Sequence, residues 1–169
     1  MGEEYTPLMA AAKLGHESIA GILMEAGANI DQAGSKEGGT ALMGAVANGH
    51  ATTLQALLQA GATVHQADLA GMTGLMLAAL KGDTPMLQKL LQAGAKVNHS
   101  NLNGLTALMC AAGKGHATTV QALLQAGANV NQADSKGTTA LGYVEEHSHT
   151  ATVDVLRRAG AKSPWNWFG

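Results

Sequence analysis

The chain has 169 residues, and five blocks of 33 account for all but its last few positions. Only five residues are aromatic, Tyr5, Tyr143, Trp165, Trp167 and Phe168, so an aromatic-rich core is excluded and alanine, leucine, glycine and methionine must do the packing. Ten Lys+Arg against twelve Asp+Glu leave none of the cationic surplus that neutralises phosphates, which argues against a nucleic-acid partner.

Cys110 is the single cysteine, so an internal disulfide and a four-ligand cysteine zinc site are both ruled out, and a reducing, cytoplasmic compartment fits best. No apolar run approaches the roughly 18 to 20 residues of a membrane span. The run from Leu75 to Leu80 stops at Lys81. The N-terminus lacks the basic and apolar regions of a secretory signal. Met1-Gly2-Glu3-Glu4-Tyr5-Thr6 matches the short myristoylation pattern, but two glutamates follow Gly2 where a second, basic membrane signal would be needed.

Along the chain the same element recurs. The first block opens at Thr6-Pro7-Leu8-Met9, where the threonine oxygen can receive a free helix amide and proline suits the first helical position. A short helix is expected to Gly15, then a second to Gly27. A linker follows that is one residue longer than the others and holds Gly34 where aspartate is expected, then Glu37-Gly38-Gly39. The next openings are Thr40-Ala41-Leu42-Met43, Thr73-Gly74-Leu75-Met76, Thr106-Ala107-Leu108-Met109 and Thr139-Ala140-Leu141-Gly142, spaced 34, 33, 33 and 33 residues apart. Their first helices should end near Gly49, Gly82, Gly115 and Ser148.

The second helices carry leucine and valine at helical spacing: Leu54, Leu57 and Leu58; Leu87, Leu90 and Leu91; Val120, Leu123 and Leu124. Glutamines four apart, such as Gln55 and Gln59, mark a wet face. Gly61, Gly94, Gly127 and Gly160 can take the left-handed conformation that stops a helix. Between blocks, Asp68-Leu69-Ala70-Gly71, Asn101-Leu102-Asn103-Gly104 and Asp134-Ser135-Lys136-Gly137 read as tight hairpin-like loops. In the last block Arg157 and Arg158 stand where Leu124 and Gln125 stand one block earlier, the polar face expected of a terminal unit.

The Thr-Ala-Leu-Met opening, the Gly-His step, the Leu-Leu-x-Ala-Gly-Ala close and the Asp-x-x-Gly loop together resemble ankyrin repeats over about Tyr5 to Lys162. The resemblance implies an all-α repeat solenoid: helix pairs joined by β-hairpin-like loops in a curved stack. It is read as one domain with repeats at 6–39, 40–72, 73–105, 106–138 and 139–162, and an aromatic tail at 163–169. One departure is clear. Where the family has histidine after Thr-Pro-Leu, this chain has Met9, Met43, Met76, Met109 and Gly142, exchanging a polar tie for apolar packing.

Candidate chemistry is sparse. His147 and His149 beside Glu145 and Glu146 form the densest set of potential metal ligands, but His149 shares its register with His16, His50 and His116, and a catalytic histidine has no reason to recur in every repeat. His65 and His99 fall on neighbouring loops. Phosphate loops, nucleophile elbows and paired carboxylates are lacking, so no enzyme, cofactor or resident metal is expected. Cys110 occupies a first-helix position without local positive charge and should be unreactive. Asn98 and Asn131 sit where the family resembles substrates of asparaginyl hydroxylation.

The resemblance points instead to a partner-binding face of loop residues and outward first-helix ends. On the hairpin leading into repeat 3 and on that repeat's first helix it marks Leu69, Ala70, Met72, Leu80 and Lys81, and likewise for repeat 4 Leu102, Asn103, Leu105, Gly113 and Lys114. The other repeats add Tyr5, Lys13 and Leu14, then Ser35, Lys36, Ala47 and Asn48, then Ser135, Lys136, Thr138, Glu146 and His147. Leu69, Met72, Leu80, Leu102 and Leu105 are expected to form an exposed apolar patch flanked by lysines. The expectation is a monomeric protein-protein interaction module whose partner is a protein or peptide with an apolar anchor and acidic rim. A scaffold without an evolved partner, engineered or structural, and a regulatory piece of a larger protein remain open beside it. The aromatic tail from Trp165 to Phe168 reads either as a lid over the last repeat or as a docking segment.

Overall fold

A computed structural model describes residues 5–145 and 149–162, so Met1 to Glu4, Glu146, His147, Ser148 and the aromatic tail lie outside the described residues. Each block contributes two helices. The first helices are α1 (Pro7–Leu14), α3 (Ala41–Ala47), α5 (Gly74–Lys81), α7 (Ala107–Gly113) and α9 (Ala140–Glu145). The second are α2 (Glu17–Glu25), α4 (Ala51–Gln59), α6 (Thr84–Gln92), α8 (Ala117–Gln125) and α10 (Thr150–Arg158).

Every first helix starts as its sequence dictates. The Oγ1 atoms of Thr6, Thr40, Thr73, Thr106 and Thr139 accept the amide three residues on at 3.2 to 3.4 Å. Such a cap stabilises a helix by about 1 kcal/mol, which matters because two-turn helices are too short to persist alone. Packing supplies the rest. First helices lie on their successors (α1 on α3, α3 on α5, α5 on α7, α7 on α9), and second helices do so at α2 on α4, α6 on α8 and α8 on α10. The leucines at Leu8, Leu42, Leu75, Leu108 and Leu141 form one buried column through the stack, joined by the methionines Met9, Met76 and Met109, while Met43 is buried beside it.

Polar contacts then fix one repeat against the next. The Nε2 atoms of His50 and His116 lie 3.0 and 3.2 Å from the carbonyl oxygens of Lys13 and Leu80 in the preceding repeat. A carbonyl only accepts, so each Nε2 carries the proton. Asp31, Asn98 and Asn131 work the same seam lower down: their side-chain oxygens receive the amides of Thr63, Asn129 and Lys162 at 2.8 Å. Asn98 and Asn131 also donate to the carbonyls of Gly127 and Gly160. These asparagines thus have a structural role in holding the stack.

The loops are hairpins with single antiparallel bridges, Ala67 to Thr73, Ser100 to Thr106 and Ala133 to Thr139. Asp68, Asn101 and Asp134 each accept two amides of their own turn at 2.8 to 2.9 Å. Adjacent hairpins bond through their backbones, from the Leu69 amide to the Glu37 carbonyl, Leu102 to Ala70 and Ser135 to Asn103. The longer first linker joins this series through Glu37.

One buried seam is satisfied unevenly. Thr119 Oγ1 lies 2.8 Å from Thr84 Oγ1 of the repeat before it, whereas the buried Thr152 Oγ1 has no partner, because Ala117 stands where Thr84 would be needed. Thr152→Val should therefore be neutral or stabilising by up to about 1 kcal/mol, and Thr119→Val destabilising by about 1 kcal/mol. Denaturant midpoints decide it; equal losses at both sites would contradict the account.

Candidate binding groove

The hairpin and first-helix side of repeats 1 to 3 encloses a groove of about 390 Å³. Its floor is Met9, Thr40 and Met43, all buried, with Leu77 of α5 at one end. Tyr5, Lys13, Lys36, Glu37, Asn48 and Asp68 stand around it. The space exists because of Gly44. The same slot is filled by Ala10, Leu77, Cys110 and Tyr143 in the other repeats, and only at Gly44 is there no side chain. The helix does not require glycine there, since a Cβ would meet Lys13 at an ordinary 3.6 Å. The vacancy is a property of the residue and not of the backbone. Gly34 and Gly39 of the longer linker widen the other wall.

The rim is mixed in charge. The Lys13 ammonium sits over the Tyr5 ring, 4.9 Å from its centroid, which holds a half-exposed aromatic face beside the opening. Asn48 donates its amide to the Gly44 carbonyl at 2.9 Å and so lies along α3. Repeat 5 shows what a filled slot looks like. Burial would raise the Asp134 carboxyl, but the Tyr143 hydroxyl 2.6 Å away, the amides of Thr138 and Lys136, and the Lys136 charge outweigh it and hold the group below the usual carboxylate range. In that repeat Tyr143 closes the position against its hairpin.

The residues expected at the binding face divide four ways. Lys36 and Asn48 line the groove, as do Tyr5, Lys13 and Ala47. Leu69, Leu80 and Leu102 are exposed, at 67%, 38% and 77%, with Leu69 and Leu102 on adjacent hairpin tips and Leu80 near the end of α5. Ala70, Lys81, Asn103, Lys114 and Lys136 are exposed but outside the groove. Met72 and Leu105 correct the expectation of a five-hydrophobe patch. Both are half-buried against the core, because the two amides each hairpin aspartate or asparagine binds include their own and turn these side chains inward. Gly44, Met43, Leu77, Glu37 and Asp68 also line the groove; the only sequence signal among them is Gly44, the smallest residue in its column of first-helix positions.

Chemical groups suited to catalysis are not gathered here. Burial pushes the Cys110 thiol up to about 11, so it stays protonated and weakly nucleophilic. Among the described residues no three His, Cys, Asp or Glu side chains come together as metal ligands, and no helix is long and apolar enough to cross a membrane.

The family model described as ankyrin repeats, in three copies, matches residues 1–68 and 75–163, nearly the whole chain. The chain belongs to the ankyrin-repeat family. Ankyrin repeats are in general protein-protein interaction modules and typically non-catalytic. A comparison with curated proteins finds no significant match. The interval between the two matched segments, 69–74, runs from the hairpin tip at Leu69 through the cap Thr73 to Gly74, the first residue of α5.

Proposed function

We propose that this ankyrin stack captures a polypeptide segment on its hairpin side, with one apolar side chain of the partner seated over Gly44 and the chain running on past the exposed Leu69 and Leu102 tips. The observation that carries this reading is the groove itself, an apolar floor of Met9, Met43 and Leu77 under a polar rim. Its volume falls within the range of about 300 to 1,000 Å³ found for ligand sites, and a large apolar side chain fits. A preformed floor on packed helices loses little entropy on binding, which favours affinity without chemistry. Methionine suits such a floor because its unbranched side chain adapts to the group that lands on it. Lys13, Lys36 and Lys81 lend orientation toward a partner with acidic residues beside its anchor.

Gly44→Phe tests this directly. Leu77 and Tyr143 occupy the equivalent slot without distorting their helices, so the variant should fold with an unchanged helical spectrum while filling the groove. Peptides selected from a random display library on the parent protein should lose about 100-fold or more in affinity for the variant, the worth of a buried aromatic or leucine anchor. Peptides that bind parent and variant equally would refute the assignment of the groove.

A further inference from the structure

At the junction of repeats 4 and 5 the chain fills, with its own Tyr143, the first-helix position that Gly44 leaves empty in repeat 2. The Tyr143 side chain lies over Gly113 of α7, where an added Cβ would stand 3.7 Å from the Tyr143 Cβ and 3.8 Å from its Cδ1. Its hydroxyl donates to Asp134 Oδ2 at 2.6 Å, while Asp134 Oδ1 receives the amides of Lys136 and Thr138 at 2.9 and 2.8 Å. One carboxylate thus does two things: one oxygen closes the turn and the other holds a phenol.

The junction of repeats 2 and 3 has the same parts with the phenol left out. Ala47, Leu77 and Asp68 hold the positions of Gly113, Tyr143 and Asp134, and all three line the groove. Asp68 Oδ1 receives the amides of Ala70 and Met72 at 2.9 and 2.8 Å, as its counterpart does in repeat 5. Leu77 has no donor to offer, and Asp68 Oδ2 accepts no hydrogen bond among the described residues. A half-buried carboxylate with one oxygen tied, beside a floor of Met43 and Leu77, is matched by a donor carried on an apolar body. A phenol is such a group, and the space over Gly44 admits its ring.

We infer that the anchor of the captured segment is a tyrosine, its ring on the Met43 and Leu77 floor and its hydroxyl donating to Asp68 Oδ2, so that the partner supplies to repeat 3 the bond that Tyr143 makes within repeat 5. This rests on the groove being the capture site and adds which side chain it selects. Phenylalanine, leucine or methionine would fill the same floor but take water from Asp68 without returning a donor, which costs affinity. A site that hydrogen-bonds a hydroxyl rejects the analogue lacking it far better than a purely apolar pocket separates two hydrophobes. Asp68 is therefore the residue that sets specificity, and Gly44 the one that gives room.

Peptides selected from a random display library on the full chain, each then synthesised with tyrosine and with phenylalanine at the anchor, test this. The tyrosine form should bind the parent about tenfold or more tighter, the worth of a hydrogen bond to a charged acceptor. Asp68→Asn puts a neutral amide where the charged acceptor was and should cut that preference to about threefold or less. The variant keeps its hairpin, since Asn101 holds the same position in the next repeat and receives the amides of Asn103 and Leu105 at 2.9 Å. The phenylalanine form controls for the lost charge. Peptides sensitive to Gly44→Phe that carry leucine or methionine at the anchor, or that bind equally well as phenylalanine and tyrosine, overturn the inference and leave the groove standing. So does a tyrosine preference that survives Asp68→Asn unchanged. Peptides indifferent to Gly44→Phe refute the groove, and the inference falls with it.

Discussion

Replacing Gly104 by alanine should lower the stability of the stack by about 3 kcal/mol or more, whereas the same change at Gly137 should lower it by about 1 kcal/mol. The two glycines hold the same place in successive hairpins and the same left-handed backbone, φ 78° and 80°. The strain of adding a Cβ at positive φ is therefore common to both. Their neighbours differ. A Cβ at Gly104 would stand 2.7 Å from the Ser135 amide nitrogen and 2.9 Å from the Asp134 Cα, while at Gly137 nothing among the described residues lies within 4 Å. The obstacle is backbone and cannot turn aside as a side chain would. The hairpins of repeats 4 and 5 would have to part, breaking the Ser135 to Asn103 bond. Chemical denaturation of both variants checks it. Equal losses would show that hairpin stacking adds nothing beyond the turn conformation.

The second large effect lies at the helix turn. Gly82→Ala should destabilise by about 2 to 3 kcal/mol and Gly49→Ala by about 1 kcal/mol, although both have φ above 70°. At Gly82 an added Cβ would fall 2.6 Å from the His116 ring, displacing it from the Leu80 carbonyl. Gly49 faces open space because repeat 3 carries Asp83 where the others carry histidine. Asp83 instead caps its own helix through the Met86 amide at 3.0 Å. Combining Gly82→Ala with His116→Ala should recover part of the loss, since the ring is then no longer in the way. Strict additivity of the two single changes would exclude the contact as the cause.

Both comparisons use the repeat as its own control, and the same logic explains what could be read early. Thr6, Thr40, Thr73, Thr106 and Thr139 cap their helices because a hydroxyl three residues before a free amide does so locally, whatever surrounds it. The hairpins follow from Asp68, Asn101 and Asp134, whose side chains bond within their own turns. These interactions span at most four residues, and a periodic chain repeats them in register. Exposure among the hairpin residues is less legible. Leu69 and Leu102 were placed on the surface correctly, but Met72 and Leu105, three residues further on, were placed with them and instead turn toward the core.

The groove depends on residues roughly one repeat apart, Lys13 beside Gly44 and Met43 with Leu77 along its lining, so its opening at Gly44 shows in the sequence only as a small residue in a column of larger ones. Likewise Ile19 and Ile22 look like ordinary core positions in a helix pattern. Both are exposed, because burial on α2 is set by which side of the helix meets a neighbour, which periodicity alone does not carry. The amino-acid order determined the ten helices, their caps, their turns and the family, because those rest on short-range bonds repeated every 33 residues. The packing of one repeat on the next decided which hydrophobes are buried and where the groove opens, because burial belongs to pairs of surfaces and not to single residues.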